Sequence, residues 1–205
     1  MKVYGITQRS LAPHHDLAVT VRRWAESGVD LAQVREKDLG AREVYEIVRR
    51  ILDAPLPERF ELFVNERFDV ALAAGAHGVH LGVRSLPVKL VRRRVGRRLR
   101  IGYSAHSVAE ALQAERDGAD LVTLSPVFPP HSKPASAPAL GVEPLRQAAR
   151  RLRRAELFAL GGLDPGRARL LRGTGVAGIA LTGNLMTSTD PTATVRSLRA
   201  ALQEN

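Results

Sequence analysis

The sequence predicts an α/β chain closed into a compact (β/α)8 TIM barrel, and three observations carry the prediction. A short apolar run followed by a helical pattern recurs eight times along the 205 residues. No antiparallel hairpin signal interrupts that alternation. Four helix ends share one device, a glycine two or three residues before the next apolar run, at Gly28, Gly75, Gly118 and Gly175. Such a glycine stops a helix in the left-handed conformation before the next parallel strand. An open doubly wound sheet shares this local grammar, but the number of units favours closure.

The elements follow in order. Residues 2–7 form the first strand, in which Val3, Tyr4 and Ile6 follow Lys2. Helix 17–27 leads to strand 30–34, helix 41–52 to strand 61–64, and helix 68–74 to strand 78–81. Ser85-Leu86-Pro87 starts helix 87–95, ahead of strand 100–102. Ser107, with Glu110 three residues on, caps helix 108–117, which precedes strand 121–124. Helix 142–153 precedes strand 156–160. Asp164-Pro165 opens helix 165–172 before strand 178–181, and Asp190-Pro191 opens the last helix, 191–202. The run 125–140 is too polar and proline-rich for a strand and too long for an ordinary turn, which makes it a candidate lid.

A chain of this length, 44% hydrophobic, sustains one core, so residues 1–205 are expected to form one domain. With no cysteine, disulfides, iron–sulfur ligation, thiolate zinc and cysteine nucleophiles are excluded. Without an apolar run of membrane length or a leader-like segment, the expectation is a cytoplasmic protein with no membrane partner. The formal charge is +10, and only Lys2, Lys37, Lys89 and Lys133 are lysines, the other cations being arginine. Arg92, Arg93, Arg94, Arg97, Arg98 and Arg100, and Arg150, Arg151, Arg153 and Arg154, run from helix ends into strand starts. That places them at the bottom of the barrel, away from the face where barrel active sites lie. They are expected to be solvated surface, and without aromatic interleaving they predict no nucleic-acid partner.

Polar residues at strand C-terminal ends are the functional evidence. After the second strand, alternation lets Gln33, Arg35 and Lys37 converge, the cations suiting a phosphate or diphosphate and the amide suiting a heterocycle. The competing arrangement is a salt-bridge network with Glu36 and Asp38. Asn65 and Glu66 follow the third strand, as substrate-orienting and proton-accepting groups or as a helix cap and a surface pair. His80 on the fourth strand is either a satisfied interior histidine or a ligand. His106, after the fifth strand, stands where a general acid or base is useful near neutral pH. His131, Ser132 and Lys133 sit in the long sixth loop, able to close over a phosphorylated ligand. Gly161 and Gly162 after the seventh strand, with Thr182 and Gly183 after the eighth, match the common barrel phosphate cup.

At these residues the sequence resembles the superfamily of thiamine phosphate synthase and its TenI-type relatives. The resemblance runs through 33–37, 65–67, 78–82, 104–107, 125–128 with 132–133, and 160–162. It implies an enzyme of thiamine biosynthesis handling a small phosphorylated heterocycle, a thiazole phosphate, and a possible homodimer. Matching positions put Gln33, Arg35, Lys37, Asn65, Ser132 and Lys133 around pyrimidine and diphosphate, and Gly162 with Thr182 and Gly183 around the thiazole phosphate. The chain departs from the synthase pattern where the family's aspartate is Glu66 and where Gly-Gln-x-Asp reads Gly82-Val83-Arg84-Ser85. Those departures lean the expectation toward a TenI-type thiazole tautomerase that needs no cofactor. His106, His131, Glu66 and Lys133 are its acid–base and carboxylate-binding candidates, because Pro126 occupies the position where that branch can carry a histidine. The alternatives are a thiamine phosphate synthase, for which the resemblance implies magnesium with Glu66 as a possible ligand, and a noncatalytic binding protein of the same pathway.

Overall fold

The computed structural model describes residues 1–12, 14–129 and 138–203. Strands β1 (Lys2–Ile6), β2 (Leu31–Val34), β3 (Glu61–Asn65), β4 (Gly78–Leu81), β5 (Arg100–Ala105), β6 (Leu121–Leu124), β7 (Glu156–Leu160) and β8 (Gly178–Leu181) pair in parallel, in sequence order, into a closed barrel. Helices α1 (Leu17–Glu26), α2 (Ala41–Leu52), α3 (Phe68–Ala74), α4 (Val88–Val95), α5 (Val108–Asp117), α6 (Glu143–Arg151), α7 (Pro165–Ala168), α8 (Gly183–Met186) and α9 (Pro191–Gln203) cover it. This is the predicted (β/α)8 fold. Gly28, Gly75, Gly118 and Gly175 all carry the positive φ assigned to them. Asp16, Ser107, Asp164 and Asp190 each accept a backbone N–H of the helix they open. Among the described residues no helix is long and apolar enough to cross a membrane.

Period-two alternation sorts the inward side chains into layers drawn from alternate strands. The bottom layer is ionic and comes from the first residues of the odd strands: Lys2 pairs with Glu156, and Arg100 pairs with both Glu61 and Glu156. Leu31 and Leu121 lie above it, then Tyr4, Phe63 and Phe158, with Tyr4 packing its ring 5.9 and 5.7 Å from the other two. The next layer turns polar with Gln33, His80 and Thr123, all buried. Gly102 makes room there, since a Cβ on it would come within 2.3 Å of His80 Nδ1. Two residues further up each strand, the inward positions no longer fill the barrel but open to the C-terminal mouth.

Of the predicted bottom-face arginines, Arg92, Arg97, Arg100 and Arg154 line a cavity with Lys2 and Glu156 at the opposite end, and Arg92 and Arg100 are part-buried and paired rather than free surface. Arg92 is spent on Asp120 and on the carbonyls of Gly118, Gly96 and Leu99, and Arg98 on those of Val95 and Arg94.

Candidate active site

A cavity of about 410 Å³ occupies the C-terminal mouth, lined by Ile6, Gln33, Arg35, Lys37, Asn65, Glu66, Leu81, Gly82, Val83, Arg84, Ser104, His106, Ser125, Leu160 and Thr182. Its members follow from the layer rule: Ile6, Asn65, Ser104 and Leu160 continue the inward rows of the odd strands, and Arg35, Gly82, Ser125 and Thr182 those of the even strands. A second cavity, about 400 Å³, adjoins it on the β2–β3 side and shares Lys37, Asn65, Glu66 and Arg84.

The floor is a hydrogen-bond chain. Gln33 Nε2 donates to Tyr4 Oη at 3.1 Å, Tyr4 Oη lies 3.2 Å from His80 Nδ1, and His80 Nε2 lies 3.0 Å from Ser104 Oγ. Burial, with Arg35 nearby, pushes the His80 imidazolium down to about 3, so His80 is neutral and structural. Burial raises the Tyr4 phenol well above its ordinary value, which keeps it a neutral link in the chain. With its amide nitrogen committed, Gln33 keeps a buried Oε1 that has no partner among the described residues, and Thr123 Oγ1 in the same layer likewise has none. Buried acceptors left open beneath a cavity suit a donor on a bound molecule.

The wall is cationic. Among the described residues neither Arg35, Lys37 nor Arg84 is held in an ion pair, because Glu36 accepts the Arg9 backbone N–H and Asp38 binds the Arg9 guanidinium. The salt-bridge alternative for the 35–38 segment is therefore not the one adopted. Partial burial lowers the Lys37 ammonium below its usual range, Arg35 adds to this and Arg84 contributes, while Glu66 opposes them. Glu66 has φ +60°, an uncommon conformation for a non-glycine residue, and its N–H bonds His80 O at 2.9 Å. Its surface-pair alternative fails because Arg67 takes Asp69 instead. Asn65 does not cap α3, whose first turn follows Arg67 without a side-chain cap.

His106 stands at the rim, its Nδ1 2.9 Å from Ser125 O. A carbonyl can only accept, so in the neutral ring Nδ1 carries the proton and Nε2 keeps its lone pair. Gly161, Gly162 and Gly183 flank the lining residues Leu160 and Thr182 without lining the cavity themselves. Gly162, at φ +59°, lies so close to the start of the sixth loop that a Cβ would stand 2.3 Å from Pro129 O. Asn184 Nδ2 donates to Leu163 O at 2.8 Å, tying the seventh and eighth loops together. His131, Ser132 and Lys133, with the middle of the proposed lid, 130–137, lie outside the described residues. The two ends of that loop are fastened: Val127 N–H and Phe128 N–H donate to Leu160 O and Gly161 O, and Leu140 N–H donates to Pro126 O.

Magnesium takes near-octahedral oxygen coordination, commonly from one or two carboxylates with substrate phosphates. Glu66 is the sole carboxylate lining the cavity among the described residues, it faces three cations, and no group of three metal-ligating side chains forms among those residues. This donor set does not fit a resident ion. Arg84 was not among the predicted site residues; its signal was its place just beyond the C-terminal end of a barrel strand. Tyr4 was missed because an aromatic residue in an apolar strand reads as core.

A closed (β/α)8 barrel with a cationic cavity at its C-terminal mouth defines the architectural class of barrel enzymes. The family model described as thiamine monophosphate synthase matches residues 3–185. A thiamine-phosphate synthase of Desulfitobacterium hafniense is 35% identical over 196 residues, 96% of this chain and 94% of that protein. One of Caldanaerobacter subterraneus is 38% identical over 179 residues, covering 87% and 83%. The solved structure of a thiamine phosphate pyrophosphorylase from Pyrococcus furiosus superposes with a TM-score of 0.82 at 34% identity, covering 98% and 95%. The chain belongs to the thiamine monophosphate synthase family, a family of enzymes.

These relatives overturn the expected TenI-type tautomerase, since they carry synthase names. The physical error was to weigh the lost carboxylate above everything else at the mouth. Ser85 does not stand in for a metal ligand: its Oγ accepts the Gly82 N–H at 2.8 Å and closes a turn. Gln33, Arg35, Lys37 and Asn65 remain gathered at one cavity.

Proposed function

We propose that the chain is a thiamine-phosphate synthase, joining an aminopyrimidine carried as its diphosphate to a thiazole phosphate with release of diphosphate. The observation that carries this reading is the cationic cavity over an open amide acceptor, in a chain whose synthase relatives align over nearly its whole length. Arg35 and Lys37 bind the diphosphate, with Ser132 and Lys133 added from the sixth loop by resemblance. Gln33 Oε1 accepts from the pyrimidine amino group, and Asn65 orients the ring. The carbon–oxygen bond to diphosphate breaks with its electron pair leaving on oxygen, where the cations are stronger partners than in the ground state. The thiazole nitrogen lone pair then forms the new carbon–nitrogen bond. Backbone N–H groups around Gly161, Gly162, Thr182 and Gly183 hold the thiazole phosphate. Glu66 and the Nε2 of His106 balance charge and order water at the rim.

The same reading makes 1–205 one catalytic unit in the cytoplasm that needs neither nucleic acid nor membrane; the homodimer expectation is checked by sedimentation. Mixing purified protein with both substrates and magnesium tests the reaction. Thiamine phosphate and diphosphate are expected in equal amounts. Substrates returned unchanged across several divalent ions would remove the proposal.

A further inference from the structure

We propose that Arg84 joins Arg35 and Lys37 as a direct receptor for the diphosphate group, so that the free protein takes up this anion without a resident metal ion and any divalent cation arrives already bound to substrate. The inference rests on the synthase reading above and deepens it.

The backbone of Arg84 is set by a turn, while its side chain is exposed. Gly82 N–H donates to Ser85 Oγ at 2.8 Å and Ser85 N–H donates back to Gly82 O at 2.9 Å. This doubly closed turn carries Val83 and Arg84 at its tip, and Arg84 lines both adjoining cavities. Three cations line the mouth cavity, where Glu66 is the one carboxylate among the described residues, and none of the three is held in an ion pair among those residues; the adjoining cavity adds Glu36, whose carboxylate accepts the Arg9 N–H. Arg92, Arg100 and Arg199, at the other end of the barrel, each meet a carboxylate instead. Gathering three cations against one carboxylate leaves an excess of like charge in the free protein, and that excess is relieved by binding an anion rather than a cation. A guanidinium on a short turn also presents paired donors that match phosphate oxygens.

The test is calorimetric titration of the full chain with inorganic diphosphate in excess chelator. Wild type binds. Arg84→Ala binds about 10- to 100-fold more weakly, as expected for loss of a charge-assisted contact, and Arg84→Lys falls between them. Lys89→Ala, on the exposed side of α4, binds as wild type does, and unchanged melting temperatures exclude misfolding. In parallel, Mn2+ monitored by electron paramagnetic resonance stays free with protein alone and becomes bound once diphosphate is added. Diphosphate binding only in the presence of metal, wild-type affinity in Arg84→Ala, or stoichiometric Mn2+ uptake by the free protein would each overturn the inference. If thiamine phosphate forms but diphosphate binding requires metal, the inference falls and the synthase reading stands. If diphosphate binds as described and no thiamine phosphate forms, the synthase reading falls instead.

Discussion

The two mouths of the barrel carry similar chemistry and use it oppositely. At the bottom, Lys2, Glu61, Arg100 and Glu156 alternate in sign from odd strands and neutralise one another. At the top, Arg35, Lys37 and Arg84 line a cavity with Glu66 as their counter-charge. The bottom network closes the barrel and the top one leaves a field for an anion. The lesson is that the +10 charge says little by itself; whether each cation already has a partner separates structure from function.

Four variants test that contrast. Removing the two nearest top cations together, Arg35→Ala with Lys37→Ala, should lower synthase turnover on the order of 1,000-fold, two charge-assisted contacts being lost. Its melting temperature should barely move, and steady-state rates beside a thermal scan check both halves. At the bottom, Arg100→Met leaves Glu61 and Glu156 without their shared partner and should destabilise by about 1–3 kcal/mol, the lower end reflecting partial exposure. Denaturant unfolding measures that, and turnover per folded molecule should be unchanged.

Between the mouths, His80 links stability to pH. Its folded value, about 3, lies below the unfolded 6.5, so the unfolded chain binds the proton first as the solution is acidified. Its contribution is fully present above about pH 6.5 and erodes by about 1.4 kcal/mol per unit as pH falls toward 3. At pH 5 that amounts to about 2 kcal/mol. His80→Gln should flatten this part of a stability-against-pH curve; an unchanged slope would show that the imidazole titrates normally in the fold. The smallest effect belongs to Gly162→Ala, which strains a φ of +59° against Pro129 O and should cost about 1–2 kcal/mol. It should raise the KM for thiazole phosphate more than it lowers kcat.

Much of this was legible in the sequence because barrel strands alternate strictly. Once Lys2, Tyr4 and Ile6 share a face, so do Gln33 and Arg35, and the mouth-lining residues follow. What escaped depended on tertiary contacts. β5 runs on to Ala105 because Ser104 and Ala105 pair with Thr123 and Leu124, beyond the apolar run that marked the strand. The turn of α8 and the 3-10 turn at Arg9–Leu11 are too short to leave a periodic signal. The helix expected over 165–172 is an α turn to Ala168 continued as a 3-10 turn through Leu171. Ser85 read as a missing carboxylate because sequence cannot tell that its hydroxyl closes a turn on Gly82.

Amide chemical-shift mapping of the labelled protein, titrated first with inorganic diphosphate and then with thiazole phosphate, tests the contrast between the mouths most directly. The account predicts perturbations at Gln33, Arg35, Lys37, Asn65, Glu66 and Arg84 with diphosphate, and at Gly161, Gly162, Thr182 and Gly183 with thiazole phosphate, while Lys2, Glu61, Arg100 and Glu156 stay still. Perturbations centred on the bottom ionic layer, or none at the top, would contradict it.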